Sequence, residues 1–453
     1  MHVCIPSLSC NLNYTLSNIK RSQSKMSRYM VPYPMRDANP SVFTPKTFFF
    51  ATSKGDAYKY NWVQCFGLKA DAVYSAIFGR DADELPLAEK FLKCIAFYCL
   101  NPVQIVEPEP TISITTLVEE DLWNMPQNIR ETCDAIYIVV VFLKDLKQWA
   151  EEDRQKMDSY LMSKHGSHLV SDMALLENQL LLDHTINVVQ NLDQAVIETI
   201  KFMLKESKGP SPSIIYLKLP FNREDFDEVI SLFCWYYSPF YAEKKKFHGR
   251  LAKELITKST LLECLHYCLV RPTKDDQAVV TPNLVWSIPT AKELAWSGMR
   301  FEADPDVAIQ VQFAEPVFKL PALVFDTKIE TVVSNLMALE RSKPQRPLSR
   351  YFQLMNELVD DKEDVRVLKR FGVVRGRWTR EGDVVDFVKR VGSFVSYPSM
   401  YPSVEDEIGK MRKWHDERSG KFLVRYGWAL RWASVAAAAS IVATAIFAAK
   451  RRG

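Results

Sequence analysis

The sequence has no marked excess of charge of either sign. Its 453 residues include 58 lysines and arginines against 55 aspartates and glutamates, which gives a net charge of +3. A nucleic-acid surface needs clustered, unbalanced positive charge, so we expect no nucleic-acid partner. Hydrophobic residues make up 47% and charged residues 25%, which is ordinary for a globular protein and excludes wholesale disorder. The length allows two or three domains, or one large domain with insertions.

Common catalytic signatures are also missing. The chain contains no G-x-S-x-G, no G-x-x-x-x-G-K-[ST], no H-E-x-x-H and no G-x-G-x-x-G. These patterns position a nucleophile, cradle a phosphate, bind zinc or bind a dinucleotide. The motifs therefore indicate no catalytic residue, no cofactor and no small-molecule substrate, although an enzyme of an unusual type stays open.

The cysteines show no disulfide framework. They are odd in number and scattered, and the single N-x-[ST] sequon, at Asn13, lies outside the expected folded region. Both features favour a reducing, cytosolic setting for the bulk of the chain. The nine cysteines are Cys4, Cys10, Cys65, Cys94, Cys99, Cys133, Cys234, Cys264 and Cys268.

Two short clusters resemble incomplete metal sites. Cys264 and Cys268 share a helical face, but His266 between them points away and no second pair supplies four ligands. We therefore predict core cysteines on a buried helix, since free cysteine is among the most buried residue types. His165 and His168 are three positions apart with a glycine between them, which makes half a site at best. We expect no bound metal.

The N-terminus lacks an apolar run long enough for a signal peptide. Residues 1–30 are rich in serine, asparagine and basic residues, which predicts a disordered tail. A weak organelle transit signal and translation from Met26 remain alternatives.

The C-terminus contains an uncharged run long enough to cross a bilayer. Residues 432–449 number 18, and at about 1.5 Å per residue they span roughly 27 Å, close to the thickness of the hydrocarbon core. We predict a membrane anchor that contacts the lipid bilayer; an apolar helix packed on the soluble body is the alternative. The residues that flank and delimit it are Arg431, Trp432, Lys450, Arg451 and Arg452.

The predicted organisation places a soluble body at 31–410, a basic amphipathic helix at 411–431, the anchor, and a basic tail at 450–453. Six lysines and arginines between 411 and 431 against three after the anchor place the bulk of the chain in the cytosol. The alternative is the extracellular face of the plasma membrane. Since so few residues follow the anchor, insertion after synthesis, as in tail-anchored proteins, is expected.

Hydrophobic periodicity predicts a mainly α body with a few short β strands (α+β). Apolar residues recur at helical spacing in 326–342, in 349–372 and in 381–392. Within 349–372 a second short helix is predicted around Val365 and Leu368, with Gly372 as its stop. Residues 307–325 alternate enough to suggest a hairpin or two short strands. The apolar run 136–143 is typical of a buried strand or a turn of a core helix.

The stretch SDMALLENQLLLDH, residues 171–184, is typical of a leucine-rich helix with three polar residues at its centre. At about 100° per residue, Glu177 projects into an apolar arc, which is formed by Met173, Leu176, Leu180 and Leu181. A carboxylate in such an arc must be paired, hydrogen-bonded or protonated. We favour a buried structural tie; a general acid or base, with His184 two turns along the same face, is the alternative.

Three sequence blocks occur in the order SDMALLENQLLL, SIPTAKELAWSGMRFE and NLMALER. They are similar to the patterns D-x-x-L-L-E-N-Q, P-x-A-x-E-L-x-x-A-G-V-x-F and N-L-x-A-x-E-Q, which occur in the same order in the plant "domain of unknown function 247" family. The resemblance extends over roughly 31–449, including the C-terminal span. The matching residues are Asp172, Glu177, Asn178, Gln179, Pro289, Glu293, Leu294, Gly298, Phe301, Asn335, Leu336 and Glu340.

The resemblance implies little chemistry. The family has no established activity, and this chain departs from it at FFFATSKG (48–55), where the family has a Gly-Pro-Tyr-His-His stretch, and at 180–182, where it has Pro-Phe-Phe. Some grass members are associated with self-incompatibility loci, which implies recognition or signalling at a membrane. Our hypothesis is a membrane-anchored plant protein that binds a protein partner; the alternative is an enzyme of unrecognised type that uses Glu177.

Overall fold

A computed structural model describes the chain over ten ranges. They are residues 31–50, 56–79, 85–102, 114–149, 153–206, 222–270, 288–343, 346–376, 380–394 and 403–418. The predicted N-terminal tail (1–30), the predicted anchor (432–449) and the residues that flank that anchor lie outside the described residues.

The described part is mainly helical with a few short strands, which confirms the predicted class. Its helices are α1 (Tyr33–Ala38), α2 (Asp56–Phe78), α3 (Leu85–Leu100), α4 (Ile114–Glu119), α5 (Gln127–Tyr137), α6 (Lys144–Gln148), α7 (Arg154–Asp172), α8 (Leu182–Glu206), α9 (Phe226–Tyr237), α10 (Lys253–Ile256), α11 (Leu261–Leu269), α12 (Ala291–Trp296), α13 (Ile329–Glu340), α14 (Pro347–Leu358), α15 (Lys362–Arg370), α16 (Glu381–Ser393) and α17 (403–418). Its strands are β1 (Arg300–Asp304), β2 (Gln312–Ala314), β3 (Val317–Pro321), β4 (Leu323–Val324) and β5 (Val374–Arg375).

Helix α3 lies at the centre of the N-terminal half of the core. Its sequence is apolar on almost every face, and such a helix is stable only when other helices surround it. It packs against α2, α5 and α8, and Leu92, Ile95 and Cys99 have no exposed surface. The long helices of this half therefore share one hydrophobic core.

The apolar run 136–143 is helical, so the strand alternative is wrong. Helix α5 continues through a π-helical segment, Ile138–Leu143, into α6, and all six residues of that segment are buried. Burial against neighbouring helices on all sides outweighs the strand preference of β-branched residues, which reflects packing more than backbone preference.

The strands predicted within 307–325 include a hairpin, and two strands outside that range, β1 and β5, pair with them in parallel. Strands β2 and β3 pair antiparallel, with Phe313 opposite Phe318, and β1 pairs parallel to β3, with Arg300 opposite Val317. Strand β4 pairs parallel to β5. The three-stranded sheet of β1, β3 and β2 lies beside α17. The Glu407 carboxylate of that helix accepts a hydrogen bond from the Phe313 amide of β2 at 2.6 Å.

Helix α17 crosses the predicted border between body and juxtamembrane helix at 410/411. It begins at 403, and its residues Val404, Ile408, Met411 and Trp414 are buried. A second tie joins Glu405 to Arg350 of α14. Residues 411–418 thus pack on the body.

No helix within the described ranges combines the length and the apolar character that a bilayer crossing requires.

Gly372 ends α15 as predicted, in the left-handed region at φ 72°. Gly372→Ala should lower the free energy of unfolding by about 1–2 kcal/mol, because an added Cβ is strained there, although the nearest side-chain atom would be 3.7 Å away. The matched control is Gly382→Ala at the start of α16, where φ is not positive and a gain of up to about 1 kcal/mol is expected. Chemical denaturation measures both; equal effects would contradict the assignment.

Candidate functional site

Residues 171–184 do not form one helix, so the predicted helix and the projection of Glu177 onto it are wrong. Helix α7 ends at Asp172, residues 173–181 form turns, and α8 begins at Leu182. Side-chain amides compete with the helical hydrogen bonds here. Asn178 Nδ2 donates to the Asp172 carbonyl at 3.2 Å, and Gln179 Nε2 donates to the Met173 carbonyl at 2.8 Å. The side chains of Asn178 and Gln179 thus stabilise the turn by binding the backbone at its start.

The side chains of this block hold a distant segment of the chain. We use "polar clamp" for Asp172, Glu177, Asn178, Gln179 and Asn335, and "N-terminal segment" for residues 31–50. Most of the hydrogen bonds of the polar clamp go to backbone groups, so they depend on the position of a segment more than on its side chains.

Asp172 of the polar clamp accepts hydrogen bonds from three consecutive backbone amides. Its carboxylate, which is 1% exposed, accepts hydrogen bonds from the amides of Lys46 (3.1 Å), Thr47 (2.8 Å) and Phe48 (3.0 Å). Amides converging on one buried carboxylate form strong, charge-assisted hydrogen bonds. Asp172 therefore fixes the turn at 46–48.

Asn178 continues this line of contacts. Its Oδ1 accepts from the Phe50 amide at 2.7 Å, and its Nδ2 donates to the Phe48 carbonyl at 2.8 Å. The side chain thereby behaves as a strand partner for the chain at 48–50. With no exposed surface, Asn178 has to satisfy these groups itself, because water cannot.

Glu177 ties down the start of the N-terminal segment. Its Oε1 accepts from the Val31 amide at 2.9 Å, and its Oε2 forms a short ion pair with Arg36 of α1. Pairing with an arginine and a backbone amide is the arrangement expected of a structural tie. His184, the suggested catalytic companion, instead contacts Glu131 at 3.1 Å.

Gln179 and Asn335 extend the polar clamp to two further helices. Gln179 Oε1 accepts from the Leu262 amide at the start of α11, at 3.0 Å. Asn335 on α13 accepts from the Leu176 amide at 2.8 Å and donates to the Val42 carbonyl at 2.7 Å. The polar clamp thus joins the N-terminal segment, the turn 173–181, α11 and α13.

Glu177→Gln should lower the free energy of unfolding by about 1 kcal/mol, a value kept small because Arg36 is 33% exposed and solvent screens such pairs. The amides of the segment from Val31 to Arg36 should exchange hydrogen faster. Glu198→Gln, which breaks the exposed pair with Lys201, serves as the control and should cost less than about 0.5 kcal/mol. Unchanged exchange at the segment would contradict the tie.

The second motif block, 289–301, shapes one short helix and its exit. Glu293 accepts from the Thr290 amide at 2.9 Å at the start of α12, and Gly298, at φ 92°, lets the chain turn into β1. Leu294 and Phe301 are buried, whereas Pro289 is partly buried. These residues serve local structure.

The third block contributes two buried residues of α13. Leu336 has no exposed surface, and the same holds for Glu340. The Glu340 carboxylate accepts from the amides of Leu348 and Ser349 at 3.0 and 2.8 Å, at the start of α14. It also lies 3.2 Å from Nε2 of His266.

A fully buried ion pair, Lys69 with Asp134, was not predicted from the sequence. The two side chains have no exposed surface and lie 2.6 Å apart, and Trp62 Nε1 donates to the same carboxylate at 3.1 Å. Lys69 also donates to the Phe49 carbonyl at 2.6 Å, beneath the N-terminal segment. Burial lowers the pKa of Lys69, but the Asp134 carboxylate, together with Cys65 and Cys133, raises that pKa above its ordinary value.

A second buried cluster joins α7, α9 and the start of α13. Lys328, 1% exposed, pairs with Asp158 at 2.8 Å and Asp326 at 2.7 Å. Its Nζ lies 4.2 Å from the ring centroid of Tyr236, whose hydroxyl donates to Asp158 at 2.6 Å. Sequence patterns gave no signal for either cluster, because Lys69 lies 65 positions from Asp134 and Lys328 lies 170 positions from Asp158.

The predicted core cysteines are confirmed on α11. Cys264 and Cys268 are buried, and burial raises the pKa of the Cys264 thiol well above its usual range. His165 pairs with Asp145 at 2.8 Å, whereas His168 is exposed. Within the ranges that the structure covers, no group of three or more His, Cys, Asp or Glu side chains is placed to hold a metal ion.

A cavity of about 350 Å³ opens between α8, the start of α9 and α10. Phe226 and Ile256 supply buried apolar walls, and Arg223 and Lys253 supply charge. No residue of the polar clamp lines it. The cavity and the polar clamp are therefore separate features.

Two residues of α2 and two of neighbouring segments expose large apolar side chains to solvent. Tyr60 and Leu68 of α2 are 52% and 61% exposed, and Leu85 and Trp123 are 50% and 38% exposed. The rings of Tyr60 and Trp123 lie 6.3 Å apart, and an added Cβ on Gly67 would lie 3.1 Å from Leu85. We name Tyr60, Leu68, Leu85 and Trp123 the aromatic face.

Comparison with known proteins gives a family and one distant relative. The model of the DUF247 family, described as a plant protein of unknown function, matches residues 132–446. A UPF0481 protein of Arabidopsis thaliana is 34% identical over 96 residues, which are 20% of this chain and 18% of that relative. The alignment thus spans less than a fifth of the relative's length. No solved structure matches the chain.

Proposed function

Because this chain belongs to DUF247, a plant family of unknown function, we propose a role from its own residues: it is a membrane-tethered recognition protein that binds a protein partner. The family resemblance read from the sequence blocks is confirmed, and it supplies no activity. The proposal rests on the aromatic face, with the C-terminal run as the tether.

The aromatic face carries the proposal. Tyrosine and tryptophan are enriched in the buried centres of protein interfaces and among the residues that dominate binding energy. Lys59, whose Nζ lies 5.1 Å from the centroid of the Trp123 ring, places a cation beside these rings. Single exposed apolar residues are common, but here Trp123 lies beside Tyr60, and Leu85 lies beside α2 at Gly67. Groups of exposed apolar side chains mark interaction sites more often than single ones do.

The motif residues support this role indirectly. The polar clamp and Glu340 hold helices and segments in place, so they keep the scaffold rigid. A rigid helix face loses little conformational entropy when a partner binds. On this proposal the family motifs preserve the shape of the body, and recognition uses surface residues outside them.

A site-specific photo-crosslinker tests the recognition surface. Gln64, exposed between Tyr60 and Leu68 on α2, is the position for the crosslinker in plant membranes that contain the full chain. A discrete protein adduct should form there and disappear in the Tyr60→Ser/Trp123→Ser variant. Trp296, 80% exposed on α12, provides both controls. A crosslinker placed there should not form the adduct, and Trp296→Ser should leave the adduct at Gln64 unchanged. Adducts that survive the double variant would refute the proposed surface.

The tether is tested by fractionation. The full chain should stay with membranes through alkaline carbonate washing, because residues 432–449 carry no charge and approach the bilayer thickness. Removal of residues 432–453 should release the protein. Proteolysis of the body in sealed vesicles then decides its side: digestion supports the cytosolic face, and protection supports the extracellular face. A full chain released by carbonate would rule out the tether.

A further inference from the structure

Outside the polar clamp, three titratable side chains form a line of contacts between α11 and the end of α13. Glu340 lies 3.2 Å from Nε2 of His266, and Nζ of Lys343 lies 3.1 Å from Nδ1 of the same ring. The order is carboxylate, imidazole, amine. In enzymes that use an activated nucleophile, a base oriented by a third group faces the nucleophile in the same order.

Glu340 determines which ring nitrogen of His266 carries the proton. Its carboxylate already accepts from the amides of Leu348 and Ser349 and from the Ser349 hydroxyl at 2.8 Å, so Nε2 is the donor toward it. Burial lowers the pKa of His266, and the charge of Lys343 acts in the same direction. In the neutral ring, Nδ1 is then an acceptor facing the amine.

Lys343 is a partly exposed lysine in an unusual setting. Its side chain is half-buried, and its Nζ lies 4.8 Å from the centroid of the Tyr267 ring. Burial lowers the pKa of Lys343, and the carboxylates of Glu263 and Glu340 counteract this only in part. A larger fraction of this amine is therefore unprotonated near neutral pH than of an exposed lysine.

We propose that Lys343 is a covalent modification site that takes acyl groups from thioester donors, with His266 as the base. Nδ1 takes one proton from the ammonium group and passes it to solvent. The free amine attacks the acyl carbon, so that an N–C bond forms and the C–S bond breaks. The thiolate leaves with the electron pair and takes up the second proton. The product amide is neutral, and the positive charge beside His266 is lost.

The test uses the full-length protein in detergent and S-acetyl-N-acetylcysteamine, a small neutral thioester. Peptide mass spectrometry follows acetylation of Lys343 and of Lys258, an exposed lysine, in the same sample. At pH 7, Lys343 should react at least about 5-fold faster, since a positioned general base contributes roughly 100-fold or more in favourable cases. The ratio should fall toward pH 10, where exposed lysines in general become nucleophilic.

His266→Asn separates base chemistry from simple exposure. The asparagine amide lies near the position of Nδ1 and can accept a hydrogen bond from Lys343, but it cannot take the proton. In this variant, the acetylation rate of Lys343 should fall to that of Lys258 or below, and the circular dichroism spectrum should stay unchanged. An unchanged rate in a folded variant overturns the proposal, and so does wild-type Lys343 reacting no faster than Lys258. If the variant does not fold, the wild-type ratio and its pH profile decide.

Discussion

Asp134→Ala should lower the free energy of unfolding by about 3–5 kcal/mol, the largest effect we expect of a single substitution. The substitution leaves the ammonium group of Lys69 in a site without exposed surface. It also leaves Trp62 Nε1 without this acceptor. Chemical denaturation followed by circular dichroism measures the loss.

Two further variants test whether the stability lost in Asp134→Ala comes from the uncompensated charge of Lys69. Lys201→Ala, which removes an exposed partner of Glu198, should cost less than about 1 kcal/mol. Lys69→Met/Asp134→Leu removes both charges and should recover part of the loss, because apolar replacements of buried pairs are often neutral. The recovery should be incomplete, since Trp62 Nε1 and the Phe49 carbonyl each lose a partner. A single-variant loss below about 1 kcal/mol would contradict a buried pair.

The second large effect is expected at Asp172. Asp172→Ala removes the acceptor of the Lys46, Thr47 and Phe48 amides. Each buried donor left without a partner costs about 1–3 kcal/mol, and partial hydration of the released turn reduces the sum. We expect a total of about 2–4 kcal/mol, together with much faster hydrogen exchange at Thr47 and Phe48.

Asp153→Ala is the matched control for Asp172. Asp153 also accepts from two backbone amides, those of Gln155 and Lys156, at the start of α7, but on the exposed surface. Its removal should cost about 1 kcal/mol, the ordinary contribution of a helix cap. Exchange at Thr47 should stay slow in this variant. Equal losses in the two variants would contradict a special role for Asp172.

The helices between residues 326 and 394 were predictable because their signals are local. The apolar spacing in 326–342 gave α13, and Gly372 at φ 72° ends α15 as its position in the sequence suggests. Such elements combine periodicity with start and stop residues within one window. Their boundaries require no knowledge of distant residues.

The turn 173–181 was not predictable in the same way. Met173, Leu176 and Leu180 have helical spacing, yet α7 stops at Asp172. The turn is stable because Asn178 and Asp172 bind backbone groups more than 120 positions away. A local window contains the side chains but not their partners, so periodicity favoured a helix.

In the candidate site, too, the local signal was visible in the sequence and the distant partner was not. Glu177 was recognised as a carboxylate that needs a partner, but the partner, Arg36, is 141 positions away. The pair of Lys69 and Asp134 spans 65 positions and was missed. A buried charge in an apolar stripe is visible in a sequence; the residue that neutralises it is set by the packing of helices.

The hydrogen bond between Asn335 and the Val42 carbonyl joins positions that are 293 residues apart, which has a consequence for synthesis on the ribosome. The N-terminal segment is made early, whereas its partner Asn335 on α13 is made only after most of the body. At roughly 5–20 residues per second, the segment waits about 15–60 s before that contact can form. During synthesis the polar clamp is therefore assembled in two stages: residues 172–179 become available first, and Asn335 joins them later.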